Sequence, residues 1–126
     1  MKLLLASAFL SLILNGFLGG TAMSSESESL SIRYVVFHSP GPSWIQGVDF
    51  REQPGVMDHI QHYAKFKQLG KLEMGGPFLA PNGGGMMIPV QGVTRDEIEK
   101  FAEKDPAITA GLLTYRIQAW YPAMKR

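Results

Sequence analysis

The stretch Gly70-Lys71-Leu72-Glu73-Met74-Gly75-Gly76-Pro77-Phe78 constrains the fold of this chain more than any other. Gly70 closes a helical pattern and suits the position just past a helix, where a left-handed backbone costs glycine little. Leu72 and Met74 alternate with charged neighbours, which predicts a half-buried strand. Gly75-Gly76-Pro77 then breaks the alternation with two residues lacking a Cβ and one lacking an N–H. Backbone can come close to something there. The corner serves packing alone, or it lets a ligand lie against the chain.

The neighbouring segments supply the rest of a domain. Ile32-Arg33-Tyr34-Val35-Val36-Phe37-His38 is β-branched, aromatic and almost continuously apolar, which predicts a central strand. Ser39-Pro40-Gly41-Pro42 ends it. Trp44 lies in the long connection that follows, and either pins that loop to the core or walls a pocket. Residues 54–69 predict a helix with Pro54 in its first turn. At about 100° per residue, Val56, Met57, Ile60, Tyr63 and Ala64 share one face, with His59 at its edge and His62 nearer solvent. Residues 86–90 predict a short strand, reached by a hairpin, in which Pro89 favours an edge or a bulge. Thr94 and Glu97 form a capping box ahead of a helix whose buried stripe is Ile98, Phe101 and Ala102. Asp105-Pro106 opens a short turn as N-cap and N1, and Gly111 ends it. Residues 112–120 predict the last strand, with Leu113, Tyr115, Ile117 and Ala119 on one face.

The order strand, helix, strand, strand, helix, strand suits an α+β domain. Its sheet has four strands, mainly antiparallel, with two helices on one face. The opposite face then carries unpaired apolar residues. Two such faces meeting would close a barrel, so a homodimer is expected.

Residues 1–22 read as a secretory signal: Lys2, an apolar run over 3–14, and small residues at Gly20-Thr21-Ala22. Residues 23–31, rich in Ser and Glu, predict a disordered leader, and 32–126 the folded domain. The expected location is outside the cytoplasm, periplasmic or secreted, with no membrane attachment after cleavage. Twelve Lys and Arg against eleven Asp and Glu give a net charge of +1, which makes no electrostatic case for nucleic acid. The absence of cysteine excludes a disulfide framework, a thiol nucleophile and thiolate metal ligands.

Among the polar residues, His59 serves packing or acts as a general acid or base. Asp105 caps a helix turn, and its carboxylate is free to accept a second hydrogen bond. His38, His59 and His62 lack metal-ligand spacing with a clear third ligand, so no metal or other cofactor is expected.

The pattern from Tyr34 to Trp120 resembles the YCII-related (YciI-like) family. The pieces are His38-Ser39-Pro40-Gly41-Pro42-Ser43-Trp44, then His59 eleven residues before Gly70, then Gly70-Lys71-Leu72 leading to Gly75-Gly76-Pro77-Phe78. Gly84-Gly85-Met86-Met87, Asp105-Pro106-Ala107, Gly111-Leu112 and Trp120 complete it. The resemblance implies a ferredoxin-like βαββαβ fold assembled as a dimeric α/β barrel. It also implies a His–Asp acid–base pair, which falls here on His59 and Asp105. His38, Trp44, Gly75, Gly76 and Pro77 would line the substrate site. Relatives often carry an acidic residue shortly after the Gly-Pro; this chain has Phe78-Leu79-Ala80-Pro81-Asn82. The expected function is a lyase or isomerase moving a proton on a small cyclic or aromatic organic acid or phenol. The alternative is a non-catalytic module that binds a small molecule or serves assembly.

Overall fold

The computed structural model describes residues 31–80 and 83–126. The expected signal at 1–22, residues 23–30 of the expected leader, and Pro81 and Asn82 lie outside the described residues. The elements are β1 (Arg33–Pro40), a 3-10 turn (Phe50–Glu52), α1 (Val56–Gln68), β2 (Leu72–Pro77) and β3 (Gly85–Pro89). After them come α2 (Arg95–Glu103), α3 (Pro106–Thr109) and β4 (Leu113–Trp120). The chain is α+β: one sheet in the order β2-β3-β1-β4, every neighbour antiparallel, with three helices. This arrangement is compatible with a ferredoxin-like fold. No helix among the described residues is long and apolar enough to cross a membrane.

The main core lies between α1, α2 and one face of the sheet. Val36, Phe66, Ile98 and Ala102 are buried there, with Tyr34, Met87, Tyr115 and Ile117 packed around them. A second cluster of Val56, Ala107, Leu112 and Leu113 sits under the long loop after β1, covered by Trp44 and Phe50. Gln53 is buried in that loop. Its amide donates to the carbonyls of Ile45 (2.8 Å) and Val48 (2.9 Å), and its carbonyl accepts from the Ile45 N–H (2.9 Å). One side chain thus replaces the secondary structure that the loop lacks.

Four local expectations need correction. Gly75-Gly76-Pro77 does not end the strand as a corner: β2 runs on through it, with these residues opposite Met87, Met86 and Gly85. The helix expected over 54–69 begins only at Val56, because Gly55 before it has φ 89°, a conformation that ends any helix reaching it. Of the apolar face expected there, Val56 and Tyr63 are buried, but Met57 and Ile60 are 57% and 43% exposed, and His59 and Phe66 complete the buried stripe. Leu72 and Met74 do not share a face. A bulge between them sets Leu72 opposite Pro89 and Met74 opposite Ile88. Leu72 packs into the core and Met74 faces out, 58% exposed. Pro89, which has no N–H to give the ladder, sits at the disturbed end of the pairing. The shift brings Gly75 opposite Met87, on the helix-covered face.

The caps otherwise follow sequence. Past α1, the Gly70 N–H bonds to the Lys67 carbonyl and the Lys71 N–H to that of Phe66, with Gly70 at φ 72°. Thr94 caps α2 by accepting from the Glu97 N–H at 3.2 Å. The Glu97 carboxylate does not return to the Thr94 backbone; it pairs with Lys71.

Candidate functional site

Four buried side chains from three elements meet on the helix-covered face. His38 comes from β1, two residues along the same face from the core residue Val36. His59 and Tyr63, four apart on α1, stack one turn above the other. Asp105 is the N-cap of α3 and has no exposed surface.

Asp105 divides its two oxygens between two tasks. Oδ1 accepts from the Ala107 N–H at 2.9 Å, which caps α3. Oδ2 lies 2.6 Å from His59 Nδ1. Burial works to raise the Asp105 pKa. The His59 hydrogen bond and charge, the Ala107 N–H and His38 outweigh it, and the carboxyl sits below its ordinary value. An ionised carboxylate only accepts, so the proton between them belongs to His59 Nδ1. In the neutral imidazole this selects the Nδ1–H tautomer, with the Nε2 lone pair free.

His38 has a different character. Burial, then the charge of His59, push its pKa down to about 4, against a smaller opposing pull from Asp105. It is therefore neutral near pH 7. Its Nε2 lies 3.4 Å from the Tyr63 hydroxyl and 3.9 Å from Asp105 Oδ2, so it leans on Tyr63 and makes no ion pair. Burial, then Asp105 and Tyr115, push the Tyr63 hydroxyl well above its ordinary range, which keeps it protonated. The rings of His38, His59 and Tyr63 pack edge to face, with centroids 4.9 to 5.5 Å apart.

These three rings border a cavity of about 290 Å³ between α1 and the β2–β3 hairpin. One wall is the α1 stripe Val56, Ile60, Ala64 and Lys67. The opposite wall comes from Gly75, Gly76, Pro77, Gly84, Gly85 and Met86 of the hairpin, with Met87 on the helix-covered face. Trp44 and Phe50 close one end, and the Trp44 ring rests against Gly83, where any Cβ would lie 2.7 Å from it. Gly85 is required by its neighbour: a Cβ there would meet the Gly76 carbonyl oxygen at 2.4 Å.

Every residue expected at the site is therefore near it. His38, Trp44, His59, Gly75, Gly76 and Pro77 line the cavity, and Asp105 supports it from behind His59. His59 is buried, 8% exposed, and not at the edge of its helix face. Sequence reasoning missed Tyr63, read there as packing alone, and Lys67. The signal for both was their spacing of four and eight from His59. His62 stands apart: its Nε2 lies 2.7 Å from the Phe101 carbonyl, and its ring stacks on Phe101.

His38, His59 and Asp105 place one nitrogen or oxygen each within 4.8 Å of one another, a donor set capable of holding a metal. Two ligands at ~2.0–2.1 Å from a tetrahedral ion stand ~3.3 Å apart. His59 and Asp105 are hydrogen-bonded at 2.6 Å, so an ion would have to open that bond first. As built, the group is a hydrogen-bonded dyad beside a neutral imidazole.

Comparison with protein-family models, with curated proteins and with solved structures finds no match.

Proposed function

We propose that this chain is a YciI-like lyase or isomerase that moves a proton on a small cyclic or aromatic organic acid or phenol. One observation carries the reading. A buried His–Asp pair, 2.6 Å apart, presents its free imidazole nitrogen beside a mainly apolar cavity of about 290 Å³. That volume is just below the ~300–1,000 Å³ usual for small-molecule sites, and suits one ring with small substituents. His59 Nε2 takes a proton from a carbon whose electron pair spreads into the ring or an adjacent carbonyl. It returns the proton to another carbon in an isomerisation, or to the departing group in an elimination. Asp105 holds the tautomer and balances the imidazolium while it lasts. The neutral His38 and Tyr63 are placed to donate to an oxygen gaining negative charge.

The domain is proposed to work as a homodimer through the sheet face turned away from the helices. That face carries Phe37, Met74, Met86 and Trp120. A stable dimer there would remove at least about 1,000 Å² from water, and light scattering at micromolar concentration would detect it. Export is proposed from the signal-like start, and a mature chain beginning near Met23 would support it in a mass spectrum.

A thermal-shift screen of ring acids and phenols tests the substrate class, because a ligand bound only by the native state raises the melting temperature. A hit that stabilises wild type and loses its effect in Ile60→Trp, which fills the cavity, supports the reading. Stabilisation without any proton transfer would favour the non-catalytic module.

A further inference from the structure

Among the described residues, Lys67 is the one lysine or arginine that lines the cavity. It lies on α1 at the eighth position after His59, at the end of the row Val56, Ile60, Ala64 and Lys67 that lines the cavity. Lys65 and Lys67 both occupy the last turn, where cations suit the helix dipole, but only Lys67 reaches the cavity. Among the described residues, Lys67 makes no ion pair, whereas Lys71 and Lys100 pair with Glu97 and Asp96. No carboxylate among the described residues lines the cavity; Asp105 is behind His59 and already bonded twice.

We propose that Lys67 binds an anionic group of the ligand, at the end of the cavity remote from His59. The inference rests on the proton-transfer reading for the identity of the site, and it adds where the ligand's charge must lie. Eight helical residues separate the two α-carbons by ~12 Å along the axis. Helical side chains lean back toward the helix N-terminus, and the long lysine stem carries its ammonium further back than the shorter imidazole reaches. A planar ring lying against the Gly75-Gly76 backbone would present its reacting carbon to His59 Nε2 and its carboxylate or phenolate to Lys67. The anion at that distance draws the ligand in without competing with Asp105 for the imidazole. The substrate class becomes narrower: one ring, a single negative charge, and the labile hydrogen at the opposite end.

Benzoate and its neutral near-isostere benzamide separate charge from shape. In an NMR titration of the protein at low salt, wild type should bind benzoate about three- to fivefold more tightly than benzamide, the ratio expected of one ion pair to an exposed lysine. Lys67→Met keeps the apolar stem and removes the charge, and should bring the two affinities together. Lys67→Arg should keep the preference. His59→Asn should keep it as well, so loss of proton transfer and loss of anion binding are read separately. Equal affinities in wild type, no binding of either probe, or a preference that survives in Lys67→Met would each overturn the proposal.

Discussion

The helix-covered face of the sheet has two halves built by opposite rules. Under α2, side chains fill all the space: Ile98, Ala102 and Val36 have no exposed surface. Under α1, along the β2–β3 hairpin, the sheet offers glycine backbone where its neighbours offer Val36 and Ile117. The first half is a packed core. The second keeps a cavity and buries two imidazoles, a phenol and a carboxylate against it. The glycines of the second half let neighbouring segments close on one another: a Cβ at Gly75 would meet the Met87 sulfur, one at Gly84 the His38 carbonyl and one at Gly85 the Gly76 carbonyl. Polar groups survive at its rim because each has a partner: none of the buried side-chain nitrogens and oxygens described lacks one.

Paired substitutions break this contrast most strongly. Ile98→Ala, in the filled half, should cost about 4 kcal/mol in urea unfolding, because a side chain with no exposed surface leaves a void that cannot close. Ile60→Ala, on the cavity wall and 43% exposed, should cost less than about 1 kcal/mol. If the two costs were alike, the halves would not differ as described.

Asp105→Ala should be next. It removes a cap and strands the His59 Nδ1–H in a buried place, at a cost of about 3 kcal/mol. Asp105→Asn keeps an oxygen for Ala107 and should cost less. It nonetheless removes the anion that fixes the His59 tautomer, so any activity should fall in both variants.

The pH dependence of stability separates the halves again. His38 is held near pKa 4 in the native state, against 6.5 ordinarily. Below 6.5 the unfolded chain takes up a proton that the folded chain refuses. Stability is thus complete above about 6.5 and drains away as the pH falls towards 4, by about 2 kcal/mol between pH 7 and pH 5. Further acid then protonates Asp105, whose native pKa is depressed, and removes its share below the ordinary carboxylate value of 3.8. His38→Phe should flatten the upper part of this profile. A wild-type profile already flat from pH 7 to 5 would show that His38 is not buried as a neutral ring.

The smallest effects lie in the glycine wall. Gly85→Ala should cost at least about 1 kcal/mol, since its Cβ would strike the Gly76 carbonyl. Gly76→Ala, with nothing within 4 Å of the added carbon, should stay within about 0.5 kcal/mol. Circular dichroism melts of the two variants give the comparison.

Much of this was legible in the sequence, and the remainder depends on long-range pairing. Alternation and caps are local, so the four strands, the Gly70 end of α1, the Thr94 cap and the Asp105 cap could be read directly. The bulge at Leu72–Met74 could not, because it depends on which strand residue faces Pro89. His59 looked peripheral because apolar counting treats an imidazole as polar, whereas a carboxylate 46 residues away makes its burial tolerable. Nothing local joins His38 to Tyr63. Nothing in the sequence singles out Gln53, whose buried amide makes three backbone hydrogen bonds. The pairing of His59 with Asp105 entered the sequence reading only through the family resemblance.

The most direct test of the proton-transfer claim is carbon-bound hydrogen exchange in heavy water. Ring acids and phenols that stabilise the protein would be incubated with wild type, and deuterium at carbon followed by NMR. Wild type should exchange a single ring or side-chain position of at least one such compound, and His59→Asn, folded to the same extent, should not. No exchange with any stabilising ligand, or equal exchange by His59→Asn, would contradict a catalytic His59.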